Sequence, residues 1–277
     1  MTDLNEIRRN PLARRDFLLR MGAAGLGAAA LAVLQGCSGG NNDDFEGATG
    51  LDPVNFPNVA GRSADEIALN FALTAEILEA DLYRQALNKA SGRAATAPLD
   101  SSQPAAGTTG GYSLTVDNGS IDPTLSAAAF LYLVQYAYVE AAHRDFLTVT
   151  LQSLGAPVAT RNPNGYKASF GDTLSSILTA LYNVEEEGVR AYLGAAGYFT
   201  NPTLQTTAVA IYSTECRHAA ALAYVLGKNV GPVHSGRDLR VTDGVDGVYP
   251  NPSDENSLEY YRTPRTVLSD LQDYLVK

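Results

Sequence analysis

The 277-residue chain predicts an all-α fold. It reads as a four-helix bundle with a long crossover between its second and third helices, a long loop insertion and a C-terminal tail. Three observations predict this. Two Glu-x-x-His strings, Glu140-Ala-Ala-His143 and Glu215-Cys-Arg-His218, each lie inside a long apolar-periodic stretch. Two further apolar-periodic stretches each carry a Glu within the apolar stripe. The four occur in the order Glu, Glu-x-x-His, Glu, Glu-x-x-His, a twofold repeat of one helix pair.

The first helix is expected from about Ser63 to Ala90, opened by a Ser63/Glu66 capping box. Its stripe is Leu69, Leu73, Glu76, Ala80, Tyr83 and Leu87. A carboxylate inside such a stripe is costly unless it is paired or bound to metal. Glu79, one position off the stripe, competes with Glu76. The second helix is expected to open at Pro123 and to end near Leu154-Gly-Ala-Pro157. About 15 residues then cross to the third helix; extended, they reach roughly 50 Å.

The third helix is expected from about Asp172 to Ala196. Its stripe is Leu174, Ile177 or Leu178, Leu181, Glu185, Gly188, Tyr192 and Ala195. Glu186 and Glu187 compete with Glu185, because a run of three Glu is ordinarily a solvated face. Tyr83 follows Glu76, and Tyr192 follows Glu185, at i+7 on the same face. These tyrosines are either core aromatics or hydroxyls that orient the carboxylates. Asn201-Pro202 opens the fourth helix and Gly227 closes it.

At i, i+3 a carboxylate and an imidazole share one helical face and reach one metal. The chain has three histidines, and two sit in the Glu-x-x-His strings. A single such string is ordinarily an intrahelical polar pair; two, with two matching Glu, make a dinuclear ligand set. The candidate ligands are Glu76, Glu140, His143, Glu185, Glu215 and His218, with Glu140 and Glu215 as the bridging candidates. The cofactor expected is a pair of divalent ions, iron or manganese, since hard oxygen-rich sites take either. His234 lies in a loop and is left out of the set.

With these residues the chain resembles the ferritin-like superfamily. Leu69–Tyr83 and Gly188–Ala196 look most like the bacterial ferritin-like domain group that includes desiccation-related proteins. The resemblance covers about Ser63 to Gly227. It implies a centre that reacts with O2 or peroxide in stress protection, or else a non-enzymatic stress protein whose metal is structural or vestigial. Fold alone does not choose between them.

The N-terminus predicts export. Arg14-Arg15-Asp-Phe-Leu resembles a twin-arginine signal. An apolar run from Met21 to Leu34 follows, short for a spanning helix. Leu34-Gln-Gly-Cys37 resembles a lipobox, making Cys37 the lipidated first residue of the mature protein. The reading is therefore 1–36 signal, 37–62 tether, 63–230 bundle with an insertion at 91–122, and 231–277 extension. The expected place is the periplasmic face of a membrane or the cell surface.

The net charge of −10 becomes −12 once the net +2 of residues 1–36 is set aside. So acidic a body argues against nucleic acid and against a polybasic membrane grip, leaving the lipid as anchor. The expected partners are the membrane, through that lipid, and the twin-arginine machinery; a homo-oligomer is left open. Both methionines fall within residues 1–36, which excludes the Met-ligated haem of some ferritin relatives. Cys216 is the one thiol left after lipidation, so the mature body has no internal disulfide. It follows Glu215 directly and is read as a small buried residue against a neighbouring helix, or else as a redox thiol.

Overall fold

The computed structural model of the chain describes residues 56–230 and 262–276. Arg14, Arg15, Cys37 and His234 lie outside them. Among the described residues five α-helices form: α1 (Ala64–Ala90), α2 (Ser126–Ser153), α3 (Leu174–Ala195), α4 (Pro202–Val225) and α5 (Pro264–Leu271). Among the described residues the only β contacts are two isolated bridges, and no helix is long and apolar enough to cross a membrane.

Contacts at the helix ends fix the topology. Arg62, just before α1, bonds the carbonyl of Leu154, just after α2, so the two helices run antiparallel. Asp65 at the start of α1 takes bonds from Thr200 and Asn201 beyond α3, while Lys89 at the end of α1 pairs with Asp172 ahead of α3. Therefore α3 is antiparallel to α1 and parallel to α2. A short 3-10 turn, Ala196–Tyr198, reverses the chain into α4. Segment 155–173 must then travel the length of the bundle, roughly 40 Å for a helix the size of α1. This is the crossover the sequence predicts.

Asn70, 1% exposed, anchors that crossover. Its amide donates to the carbonyls of Ala60 and Pro157, and its Oδ1 accepts from Ala159 N–H. At roughly 1 kcal/mol net for each bond, the clamp stabilises the crossover even after the amide is desolvated.

The helix ends show why the sequence signals work. Ser63 caps α1 by accepting from Glu66 N–H. The capping box is only half made, because the Glu66 carboxylate turns to Arg62 N–H and its guanidinium. Asn201 caps α4, whose first residue is Pro202. At the end of α2, Gly155 takes φ +62° so that Ala156 N–H can reach Leu151 C=O.

Several expected boundaries move. Pro123 does not open α2: it stands in a turn held by Asp122 and Thr124, and the helix starts at Ser126. Thr173 and Ser176 make a full capping box, so α3 begins at Leu174 rather than Asp172. The short C-terminal helix, expected over Pro264–Leu275, ends as α5 at Leu271 and tightens into a 3-10 turn, Gln272–Tyr274.

In sequence, the alternating run Tyr112–Val116 followed by Asp117-Asn-Gly119 carries a strand and hairpin signal, but no hairpin forms. Its alternation serves packing instead: Tyr112 is buried, its hydroxyl meets that of Tyr138 at 3.1 Å, and Arg93 covers its ring. Asp117 then bridges Thr173, pinning the insertion to the start of α3.

Every member of the two predicted stripes is buried. The core is mostly leucine, alanine and tyrosine, among them Leu73, Leu87, Leu133, Leu174 and Tyr83 at 0% exposure. The C-terminal segment packs on α3, where Arg262 N–H bonds Arg190 C=O and the Arg262 carbonyl sits where a Gly194 side chain would stand.

Candidate metal centre

The four long helices bring the six predicted ligands into one buried cluster. Glu76 comes from α1, Glu140 and His143 from α2, Glu185 from α3, and Glu215 and His218 from α4. The four carboxylates are at most 1% exposed and His218 is 3% exposed. His143 is less covered and forms the edge of the cluster nearest solvent.

The donors fall into two sets. Glu76, Glu140, His143 and Glu215 each offer an atom within 4.8 Å of the others; so do Glu140, Glu185, Glu215 and His218. Glu140 and Glu215 belong to both. The two imidazoles stand on either side, their ring centroids 6.4 Å apart. Each set holds one imidazole and both hold Glu140 and Glu215, so these two carboxylates would be shared by any ions held there.

Buried polar atoms without partners test the fit. Glu76 Oε2, Glu140 Oε1, Glu185 Oε2, both Glu215 oxygens and His218 Nδ1 are buried with no hydrogen-bond partner. His218 Nδ1 stands only 2.7 Å from Glu140 Oε1, yet the pair lacks hydrogen-bond geometry. Two donors that crowd without pointing at each other suit a shared cation. A buried leucine contributes roughly 1.5–3 kcal/mol, while a buried ion left unpaired costs several kcal/mol. Four carboxylates in one core therefore oppose folding unless protons or bound cations neutralise them. The residues present fit a metal site.

The competing glutamates are accounted for. Glu186 pairs with Arg190 and Glu187 with Arg262, so the triple-Glu run is split between the cluster and two ion pairs. Glu79 is buried but belongs to neither donor set.

The two tyrosines tie the halves together crosswise. Tyr192 of α3 donates to Glu76 Oε1 of α1 at 2.6 Å, and Tyr83 of α1 donates to Glu185 Oε1 of α3. Burial, reinforced by the surrounding carboxylates, pushes both phenols well above their ordinary range, so they keep the protons they donate. One aromatic escaped the sequence reading. Tyr136 stacks on the His218 ring with centroids 3.8 Å apart. Its spacing could have shown it, since Tyr136, Glu140 and His143 sit at i, i+4 and i+7 on α2.

The cluster's charge follows from its surroundings. Burial pushes Glu76 up to about 7 and Glu215 well above the carboxylate range. Burial acts on Glu140 the same way, but the imidazoles of His143 and His218 outweigh it and hold this carboxyl at about 2. Burial would lower the imidazoles; Glu140, Glu215 and Glu76 around His143, and Glu185 and Glu140 around His218, push both up instead. Carboxylates and imidazoles thus share protons, and cations of higher charge would displace them.

A family model for the ferritin-like domain matches residues 64–228, more than half of the chain. The chain belongs to the ferritin-like domain family. No curated protein matches it. The matched span starts with α1 and ends just beyond α4, so the ferritin-like domain is the bundle itself, and α5 lies outside it.

Within the ferritin-like domain the tyrosines give a measurable prediction. Tyr83→Phe and Tyr192→Phe each leave a buried carboxylate oxygen without its donor. Each should lower thermal stability by about 1–3 kcal/mol and weaken divalent-metal affinity by about 10–100-fold. Equilibrium metal titration and thermal melts of the two variants check this. Wild-type affinity in both would mean that the rings act by packing alone.

Proposed function

We propose that this ferritin-like domain holds two divalent ions, iron or manganese, and uses them to consume O2 or peroxide in protection against oxidative or desiccation stress. The observation that carries the reading is the pair of buried donor sets sharing Glu140 and Glu215. When bound, two ions supply Lewis acidity and electrons from adjacent centres. The residues do the rest. Glu140 and Glu215 hold both positions, while Glu76 with His143 and Glu185 with His218 complete one each. Tyr192 and Tyr83 fix Glu76 and Glu185. Tyr136 covers His218, and the apolar helix faces limit water.

The function is tested by loading the protein with Fe2+ and following O2 and peroxide consumption. Turnover above that of free Fe2+, lost in Glu140→Ala with Glu215→Ala, is the expected result. Metal-loaded protein that consumes neither would favour a metal that only holds the helices together.

The N-terminal sequence supports export through the twin-arginine route and lipid attachment at Cys37. That route carries folded proteins, so the metal could be chosen in the cytoplasm, before periplasmic competitors bind in their affinity order. Arg14→Lys with Arg15→Lys should leave the protein in the cytoplasm on cell fractionation. Labelled fatty acid should enter the wild type and not Cys37→Ala; label persisting in the variant would contradict the lipid assignment.

A further inference from the structure

A cavity of about 200 Å³ lies between α1, α3 and the C-terminal segment. Its wall includes Glu79, Glu187, Gly188, Asp270, Asp273 and Tyr274, and among the described residues Arg262 is the one basic residue that lines it. Arg262 ties Glu187 of α3 to Asp270 of α5, which holds the roof in place. Glu79, 3% exposed, forms the inner wall, and its Oε2 is buried without a hydrogen-bond partner. Glu187 Oε1 is likewise buried and without a partner.

Gly188 is the thin point between this cavity and the metal cluster. A Cβ there would stand 2.9 Å from Glu79 Oε1 and 3.3 Å from Glu215 Oε2. The missing side chain leaves the Glu79 carboxylate facing a shared ligand, Glu215. Its place in the stripe is one turn on from Glu185, where alanine or leucine would otherwise fill the core.

We infer that this cavity is the way in for divalent cations, with Glu79 passing them to Glu215 across the gap at Gly188. The inference rests on the proposed dinuclear centre. An acid-lined cleft with low-dielectric walls concentrates cations and raises their rate of arrival by about 10–10³-fold. A carboxylate oxygen with no hydrogen bond to break can take up a passing ion and release it. Glu79 belongs to neither ligand set, so it speeds loading without changing the final number of ions.

The test uses the metal-stripped full chain mixed with Co2+, with bound cobalt counted over time after rapid desalting. Glu79→Gln removes the carboxylate and keeps the shape. Gly188→Ala keeps every charge and narrows the gap. Both should load at least about tenfold more slowly than wild type and still reach the wild-type cobalt content. Asp172→Asn, at an exposed carboxylate, should load at the wild-type rate. Wild-type rates in both test variants would overturn the inference and point to the edge at His143 as the route. A lower final content in Glu79→Gln would overturn it by making Glu79 a ligand. A wild type that takes up no cobalt would instead be a failure of the dinuclear centre.

Discussion

Replacing Glu140 and Glu215 together with alanine is expected to abolish metal binding, because these two carboxylates belong to both donor sets. Each single substitution should weaken binding at both positions rather than empty one of them. The expected loss is at least about 100-fold, or about 3 kcal/mol at 1.4 kcal/mol per decade. The two positions should differ without metal. Glu140 carries the charge that balances both imidazoles, so Glu140→Ala leaves buried cations less well paired and should destabilise the metal-free protein by about 3–5 kcal/mol. Burial already disfavours the Glu215 charge, so Glu215→Ala should cost less. Glu140→Gln and Glu215→Gln keep the volume and separate ligation from packing. Isothermal titration with Mn2+ and thermal melts of all four single variants check both statements.

The second large effect is in pH. Glu76 has a folded value of about 7 against an ordinary 4.5, so the folded metal-free protein binds its proton more tightly than the unfolded chain does. The penalty for ionising it is absent below 4.5, grows through that interval and is complete above 7. For Glu76 alone it reaches about 3 kcal/mol, at 1.36 kcal/mol per pH unit of difference. Glu215 acts in the same direction. The raised imidazoles do too: their contribution is full below 6.5 and is lost as pH rises through their folded values. Stripped protein should therefore be most stable in mild acid and should lose roughly 10 °C in melting temperature by pH 8 from Glu76 alone. Metal-loaded protein should lose much less, and loading near pH 7 should release protons. Melts of loaded and stripped protein at pH 5 and pH 8 show the difference. Equal midpoints at pH 8 would contradict the account.

The bundle and its cluster are legible because periodicity and spacing are local. The stripe through Leu69, Glu76 and Tyr83 fixes which side of α1 faces inward, and i, i+3 fixes which side of α2 carries Glu140 and His143. The same periodicity separates Glu185 from Glu186 and Glu187. What it cannot supply is the partner across the core. That Tyr83 serves Glu185 while Tyr192 serves Glu76 depends on the crossing of α1 with α3. The Tyr136 ring over His218 depends on how α2 packs against α4. Glu79 lies off the ligand stripe in sequence terms. Its role depends on α5 roofing a cavity that begins about 180 residues away along the chain, a separation no local rule spans. The Tyr112–Val116 run misleads for a related reason: alternation marks two different faces, and α2 and Arg93, rather than a second strand, supply the cover.

The most direct measurement is the metal content of the protein purified from its native cells, joined to anomalous diffraction at the iron and manganese edges. Two ions per chain are expected. One lies among Glu76, Glu140, His143 and Glu215, and the other among Glu140, Glu185, Glu215 and His218. One ion, none, or ions bound outside these side chains would contradict this expectation.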